Sequence, residues 1–350
     1  MDKRPRHLQT KIVKVKRYDW KPDTRNQRVQ ELPDDVKLIK GNAVLVDEND
    51  VAVASQIVAY TGAGFIGQPD KEALKNRQEE YKARRLTYVG RWLHDEYKNW
   101  DDDTEAKGSG SSRLSGMLYP NQTFGTIAPS PVRRRMWCST SQFDVKHARI
   151  AGLLRGMAAH AWEIAQETLP ELAQDTIDAV YPKIHDDWLL AEAPWTSGII
   201  NKTAALPYHR DSNNIKGAIS SMWVLRRHIT GGYLHLPEYN VAFECPNKSL
   251  ITFDGQASWH GVTPFHNTGR IQDKRFKDGG GYNPKDAYRM SMVYYARSMC
   301  QDCGPAHAEA KRAQVDRTEK YEVTRTEMLL KNENGSPTKA EAHASKITEQ

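Results

Sequence analysis

Tyr208-His209-Arg210-Asp211 sets an imidazole and a carboxylate two residues apart, and His260 and Arg289 follow further along the chain. On an extended segment alternate side chains share a face, so His209 and Asp211 reach toward one point. With His260 from a later strand they form a set of two histidines and one carboxylate. That is the ligand type that holds ferrous iron, Fe(II), on one face and leaves three positions open for a chelating co-substrate and dioxygen. A structural zinc would instead close four ligands, commonly thiolates. Arg289 and Ser291 alternate on a third strand. A guanidinium offers two parallel donors to a carboxylate, so with 2-oxoglutarate as co-substrate Arg289 can hold the distal carboxylate, with Ser291 facing the same way.

These residues need strands to carry them. From Gly198 onward short apolar runs alternate with Gly, Asn and Pro punctuation, which predicts strands at Gly198–Lys202, Ala218–Leu225, Tyr233–Leu236, Ala242–Glu244, Ser249–Phe253 and Arg289–Tyr295. His209 with Asp211 then sits just past one strand and His260 just past another, as at the mouth of a jelly roll. Ahead of them, Ile150, Leu153, Leu154, Met157, Ala161 and Ile164 recur at helical spacing. They predict a helix from Val145 to about Thr168 with Asp144 as N-cap, followed by a second helix over Pro170–Tyr181. Helices first and strands afterwards point to an α+β fold, a β-sandwich or barrel buttressed by helices.

The ends differ in texture. Lys11 to about Tyr60 shows short β-like runs such as Ala43–Val46, Asp70–Tyr97 is charged and helical in pattern, and Asp101–Ser112 mixes acids with Gly and Ser. The division expected is a β-rich N-terminal extension over 1–112, a catalytic domain over 113–304, and a polar tail over 305–350 with one helix through about Leu330 and disorder from Asn332.

Lys plus Arg exceed Asp plus Glu by 50 − 44 = 6, and seven of those cations lie in the first 17 residues against one Asp. Arg133-Arg134-Arg135 is a second cluster. A polyanionic partner is one reading of these runs and solvated surface the other. No apolar run reaches the roughly 18 residues of a membrane span, and the N-terminus lacks the apolar core of a signal peptide. Four cysteines in 350 residues make no disulfide framework. The expectation is a soluble, cytoplasmic protein with no membrane partner, in a reducing compartment where ferrous iron persists.

Other motifs weigh less. His209-Arg210-Asp211 and Phe253-Asp254-Gly255 echo kinase loops, but Lys216 stands where a kinase needs Asn. Gly62-Ala63-Gly64-Phe65-Ile66-Gly67 has the dinucleotide spacing, yet Pro69 intervenes before the next helix, so it reads as a turn. Cys300 and Cys303 with His307 are half of a zinc site without its second half, and free thiols are the preferred reading. His147 and His160 read as helix residues; His228 and His235 carry no assignment.

Several blocks in order resemble the TET/JBP branch of Fe(II)/2-oxoglutarate-dependent DNA nucleobase dioxygenases, in particular its short phage-type members. They are Ser115-Gly116, Phe124-Gly125 with Arg133, His209-Arg210-Asp211 with Asn214, Gly231-Gly232-Tyr233-Leu234-His235-Leu236-Pro237-Glu238-Tyr239, His260-Gly261-Val262-Thr263-Pro264, and Arg289-Met290-Ser291, spanning about residues 113 to 299. The resemblance implies a double-stranded β-helix core, iron on His209, Asp211 and His260, and 2-oxoglutarate on Arg289. It also implies a flipped 5-methylpyrimidine of DNA hydrogen-bonded by Asn214, with Asn213 beside it. Tyr208, Trp259 and Phe265 are the aromatic candidates to stack that base. The activity implied is hydroxylation of 5-methylcytosine to 5-hydroxymethylcytosine, with thymine as second substrate. The alternatives are a 2-oxoglutarate oxygenase of a protein side chain or small metabolite, and a non-catalytic DNA-binding remnant. The chain departs from the pattern in a Lys-, Arg- and Gly-rich insertion over Thr268–Asp286, which leaves Arg270 as the other candidate for the carboxylate clamp.

Overall fold

The computed structural model describes residues 10–58, 88–90, 92–93, 121–130, 135–202, 204–267 and 288–332. The glycine run Gly62–Gly67, the loop 101–112, Ser115-Gly116, Arg133 and Arg134, the insertion 268–286 with Arg270, most of the charged helix at 70–97, and the tail from 333 lie outside them.

Fifteen strands are described, arranged in two main layers. Four come early: β1 (Lys11–Lys14), β2 (Lys37–Ile39), β3 (Ala43–Val46) and β4 (Ala52–Val58). β5 (Asn121–Ile127), β6 (Ser139–Thr140), β7 (Ser197–Lys202), β8 (Ser220–Arg227) and β9 (Ile229–Gly231) follow. The last are β10 (Leu234–Leu236), β11 (Val241–Phe243), β12 (Ser249–Phe253), β13 (Gly261–Val262), β14 (Phe265–Asn267) and β15 (Tyr288–Tyr295). The large sheet runs β1-β3-β4-β12-β8-β15-β7-β5-β6; the smaller one runs β13-β10-β11-β2, and β14 pairs with β9. Two such layers folded against each other are the double-stranded β-helix, or jelly roll, expected above.

Alternation along the central strands sets what each face meets. On β15, Met290, Met292 and Tyr294 join Trp223 and Leu225 of β8 in a core with Leu154, Met157, Ala158 and Ala161 of the long helix. The intervening Met222 and Val224 face Leu234, Leu236, Val241, Phe243 and Val262 of the small sheet. Arg289 and Ser291 occupy the odd positions of β15, so they point between the sheets.

Among the described residues the helices bounded at both ends are α1 (Gln142–Lys146), α2 (Ala148–Thr168), α3 (Pro170–Val180) and α4 (Ala306–Asn332). The predicted start at Asp144 is corrected. Ser141 caps α1, its Oγ accepting from Asp144 N at 3.0 Å, and the helix breaks at His147 before α2 begins. Asp144 is buried, and its carboxylate accepts from Gly125 N at 2.8 Å and Arg155 Nη2 at 2.9 Å, which tethers the helices to β5.

β4 pairs antiparallel with β12 over five residues, and β2 pairs with β11. Both sheets therefore contain strands from either side of position 112. Among the described residues no helix is long and apolar enough to cross a membrane.

Candidate metal centre and co-substrate pocket

The loops that carry His209 and His260 are stitched face to face. His209 N donates to His260 O at 2.9 Å and His260 N donates to His209 O at 3.0 Å, an isolated bridge that brings the ring centroids to 4.2 Å. Each imidazole is then fixed by its own backbone, with His209 Nδ1 2.8 Å from Pro207 O and His260 Nδ1 3.0 Å from Ser258 O. A carbonyl only accepts, so Nδ1 carries the proton and each Nε2 keeps its lone pair. Both lone pairs meet the same carboxylate oxygen: Asp211 Oδ1 lies 3.6 Å from His209 Nε2 and 4.0 Å from His260 Nε2.

Asp211 is held as firmly. Its N–H donates to Gly255 O at 2.9 Å, and Asn214 Nδ2 lies 3.3 Å from its Oδ2 and 3.2 Å from Ser220 Oγ. Gly255 is required at this crossing, because a Cβ there would stand 2.6 Å from Asp211 Oδ2. Burial, and secondarily the neighbouring His209, pushes His260 down to about 4, so its ring is neutral at physiological pH. Two imidazole Nε2 atoms and a carboxylate oxygen, all within 4.8 Å, fit a divalent first-row cation without any rearrangement of the hydrogen bonds at Nδ1.

The triad lines a cavity of about 410 Å³ whose wall includes Asn201, Met222, Leu234, Arg289, Ser291 and Arg297. Arg289 is 2 % exposed at its far end and stands opposite Arg226 across β15 and β8. Arg226 is spent on protein, donating to the carbonyls of Glu244, Cys245, Ile229 and Gly231 at 2.7 to 3.1 Å. Burial lowers the pKa of both guanidiniums, and Arg289 further depresses Arg226. The end of the cavity distant from the triad therefore carries concentrated positive charge, with Arg289 presented to it, and suits a carboxylate of an elongated diacid.

The aromatic candidates separate. Tyr208 packs against Trp20 with centroids 4.6 Å apart, and Trp20 also meets Trp259 at 6.4 Å. The Tyr208 hydroxyl lies 2.7 Å from His235 Nδ1, and burial pushes the phenol up to about 12. Phe265 instead lies beside Arg289, its ring 5.8 Å from the guanidinium carbon. Trp20 and Arg297 had no signal in the sequence; Glu238, a buried acid at the loops, lay unassigned within the Gly231–Tyr239 block.

The cysteine reading is corrected. Cys303 forms a disulfide with Cys138, at a Cα separation of 5.9 Å, while Cys300 is a separate buried thiol pushed up to about 11 by burial. Local Cys-x-x-Cys spacing hid a partner 165 residues away, and the cysteine count gives no support to a reducing compartment.

No family model matches the chain, and no curated protein matches it. Among solved structures it is similar to NgTET1 in complex with 5mC DNA, with 12% identity, TM-score 0.43, and coverage of 78% of this chain and 84% of that one. A prolyl-4-hydroxylase from Pseudomonas putida aligns with 12% identity and TM-score 0.30 over 70% of this chain and 92% of that one. OsALKBH1 aligns with 11% identity and TM-score 0.27 over 50% and 77%. These likenesses are distant, and the functional reading rests on the geometry of the site.

Proposed function

We propose that the chain is an Fe(II)- and 2-oxoglutarate-dependent dioxygenase that hydroxylates the 5-methyl group of a pyrimidine in DNA, with 5-methylcytosine preferred. The observation that carries the oxygenase reading is one cavity with His209, Asp211 and His260 converging at one end and Arg289 buried at the other. His209, Asp211 and His260 hold the iron, Arg289 and Ser291 hold the distal carboxylate of 2-oxoglutarate, and Met222, Leu234 and Val293 exclude water around its chain. Iron with this co-substrate and dioxygen supplies an oxidant able to replace a methyl hydrogen by hydroxyl, as 2-oxoglutarate becomes succinate and carbon dioxide.

The DNA reading draws on the sequence blocks and on the mouth of the site. A base methyl inside a duplex cannot reach a recessed metal, so the nucleotide must flip out and find aromatic walls. Trp20, Tyr208 and Trp259 pack together beside the loops that carry the triad, outside the residues lining the cavity, and Arg210, which does line it, lies 5.1 Å from the Trp259 ring, so an extruded base would meet this cluster before it reaches the cavity. Asn214 turns its amide nitrogen to Asp211 and Ser220, which leaves its carbonyl oxygen for a donor. Cytosine presents an exocyclic amine where thymine presents an acceptor, and this favours 5-methylcytosine.

The test is incubation with iron, 2-oxoglutarate and DNA containing either 5-methylcytosine or thymine alone, followed by nucleoside analysis. Hydroxymethylated product, more from 5-methylcytosine, is expected. Succinate release without product from either DNA would move the substrate to a protein side chain or small metabolite.

A further inference from the structure

Glu238 is an acid 4 % exposed that lies just outside the triad, at the turn following β10. Its Oε1 accepts from Arg17 Nη2 and from Arg210 Nη2, both at 2.9 Å. Its Oε2 accepts from the backbone N–H of Trp259 at 2.6 Å. Arg210 lies between the ligands His209 and Asp211, and Trp259 immediately precedes His260. Arg17 comes from the N-terminal segment, also donates to Ala257 O at 3.0 Å, and is followed by Tyr18, whose N–H donates to Glu238 O. One buried carboxylate thus joins both ligand-bearing loops and the N-terminal segment.

From this we infer that Glu238 is a positioning residue for the metal centre. It sets the spacing of the His209–Asp211 and Trp259–His260 loops through Arg210 and the Trp259 amide, and it makes Arg17 part of the site. The inference rests on the metal reading above. The bland alternative is an ion pair that stabilises the fold and leaves the triad indifferent to it. The two differ in what happens at the metal. Outer partners that orient ligands alter affinity and ligand field when removed, commonly by about 10- to 100-fold in affinity. A purely structural pair changes only resistance to unfolding.

The experiment titrates the full-length, metal-free protein with Co(II) in the absence of oxygen, following its visible absorption, for wild type, Glu238→Gln, Arg17→Met and Asp211→Ala. Glutamine keeps the shape but must face either the arginines or the Trp259 N–H with a second donor. Arg17 is half exposed and remote from the ligands in sequence, so its variant folds where the buried one fails. The expected result is one Co(II) per wild-type chain, lost in Asp211→Ala, with about tenfold weaker binding and an altered band pattern in both Glu238→Gln and Arg17→Met. Wild-type affinity and spectrum in the folded variants, or in Arg17→Met alone where Glu238→Gln does not fold, overturn the inference and leave the metal reading intact. Wild-type protein that binds no Co(II), or binds it equally well after Asp211→Ala, overturns the metal reading first.

Discussion

Among the described residues two clusters bring three side chains of metal-ligating type to within 4.8 Å: His209, Asp211 and His260, and Cys138, Cys303 and Glu309. By proximity alone they are equivalent. By hydrogen-bond accounting they are opposites. In the histidine cluster the Nδ1 atoms face carbonyls, the Nε2 lone pairs converge, and the group opens on a cavity. In the cysteine cluster the sulfurs are bonded to each other. Glu309 there is spent on Cys138 N at 2.7 Å, Gly304 N at 3.1 Å and Arg312 Nη1 at 2.6 Å, which docks the start of α4. The first cluster has bonding capacity left over and the second has none, so the first is built to receive something and the second to hold the fold.

That contrast is breakable by substitution. Asp211→Ala removes the only anionic ligand, and turnover is expected to fall by at least about a thousandfold with little change in urea unfolding of the metal-free protein. A variant that keeps substantial turnover returns the triad to the status of the cysteine cluster. Arg289→Gln comes next. Loss of a charge-assisted bidentate pair worth about 3 kcal/mol corresponds to a KM for 2-oxoglutarate roughly 100-fold higher, with metal affinity retained. An unchanged KM would move the clamp elsewhere, with Arg270 the first candidate.

The shared face of His209 with Asp211, and of Arg289 with Ser291, was legible in the sequence because its information is local. A His and an Asp separated by one residue, and an Arg and a Ser likewise, state their shared face by alternation alone, and β7, β8, β12 and β15 begin within two residues of where the apolar runs put them. What was illegible depends on distant pairing. Nothing around Ala52–Val58 says that it lies beside Ser249–Phe253, and so the early strands read as an extension although they complete the large sheet. Glu238 is one of 44 acidic residues until Arg17 and Arg210 arrive on it, and Cys303 has its nearest sequence neighbour in Cys300 yet bonds Cys138. Asn214 shows the intermediate case: its position near Asp211 was readable, but the turn of its amide toward that carboxylate was not.

The cysteine cluster supplies the converse prediction. The disulfide closes a loop of 165 residues and ties the segment before α1 to the start of α4. Cys138→Ser is therefore expected to lower unfolding free energy by about 3 kcal/mol in urea, while Co(II) affinity stays at the wild-type value. Reductant should reproduce the loss in wild type and do nothing further to the variant. A change in metal affinity would mean that the two clusters communicate.

The smallest effect concerns the third imidazole near the site, which sharpens the contrast from inside it. His235 is buried beside Tyr208 with Nε2 lacking a hydrogen-bond partner, so no tautomer satisfies both ring nitrogens. Burial lowers its pKa to about 4, against an ordinary value of 6.5. Between those values the unfolded chain binds a proton that the folded chain refuses, so this contribution to stability is complete above pH 6.5 and drains away as pH falls toward 4. From pH 7 to pH 5 the loss is roughly 2 kcal/mol. His235→Gln should flatten that part of the pH dependence in metal-free protein, relative to wild type, in urea unfolding followed by circular dichroism. His260 contributes in the same direction and remains in both proteins, so the difference between them isolates His235. Equal slopes for wild type and variant would mean that His235 accepts its proton in the folded state, and that burial alone does not keep an imidazole neutral at this position beside Tyr208.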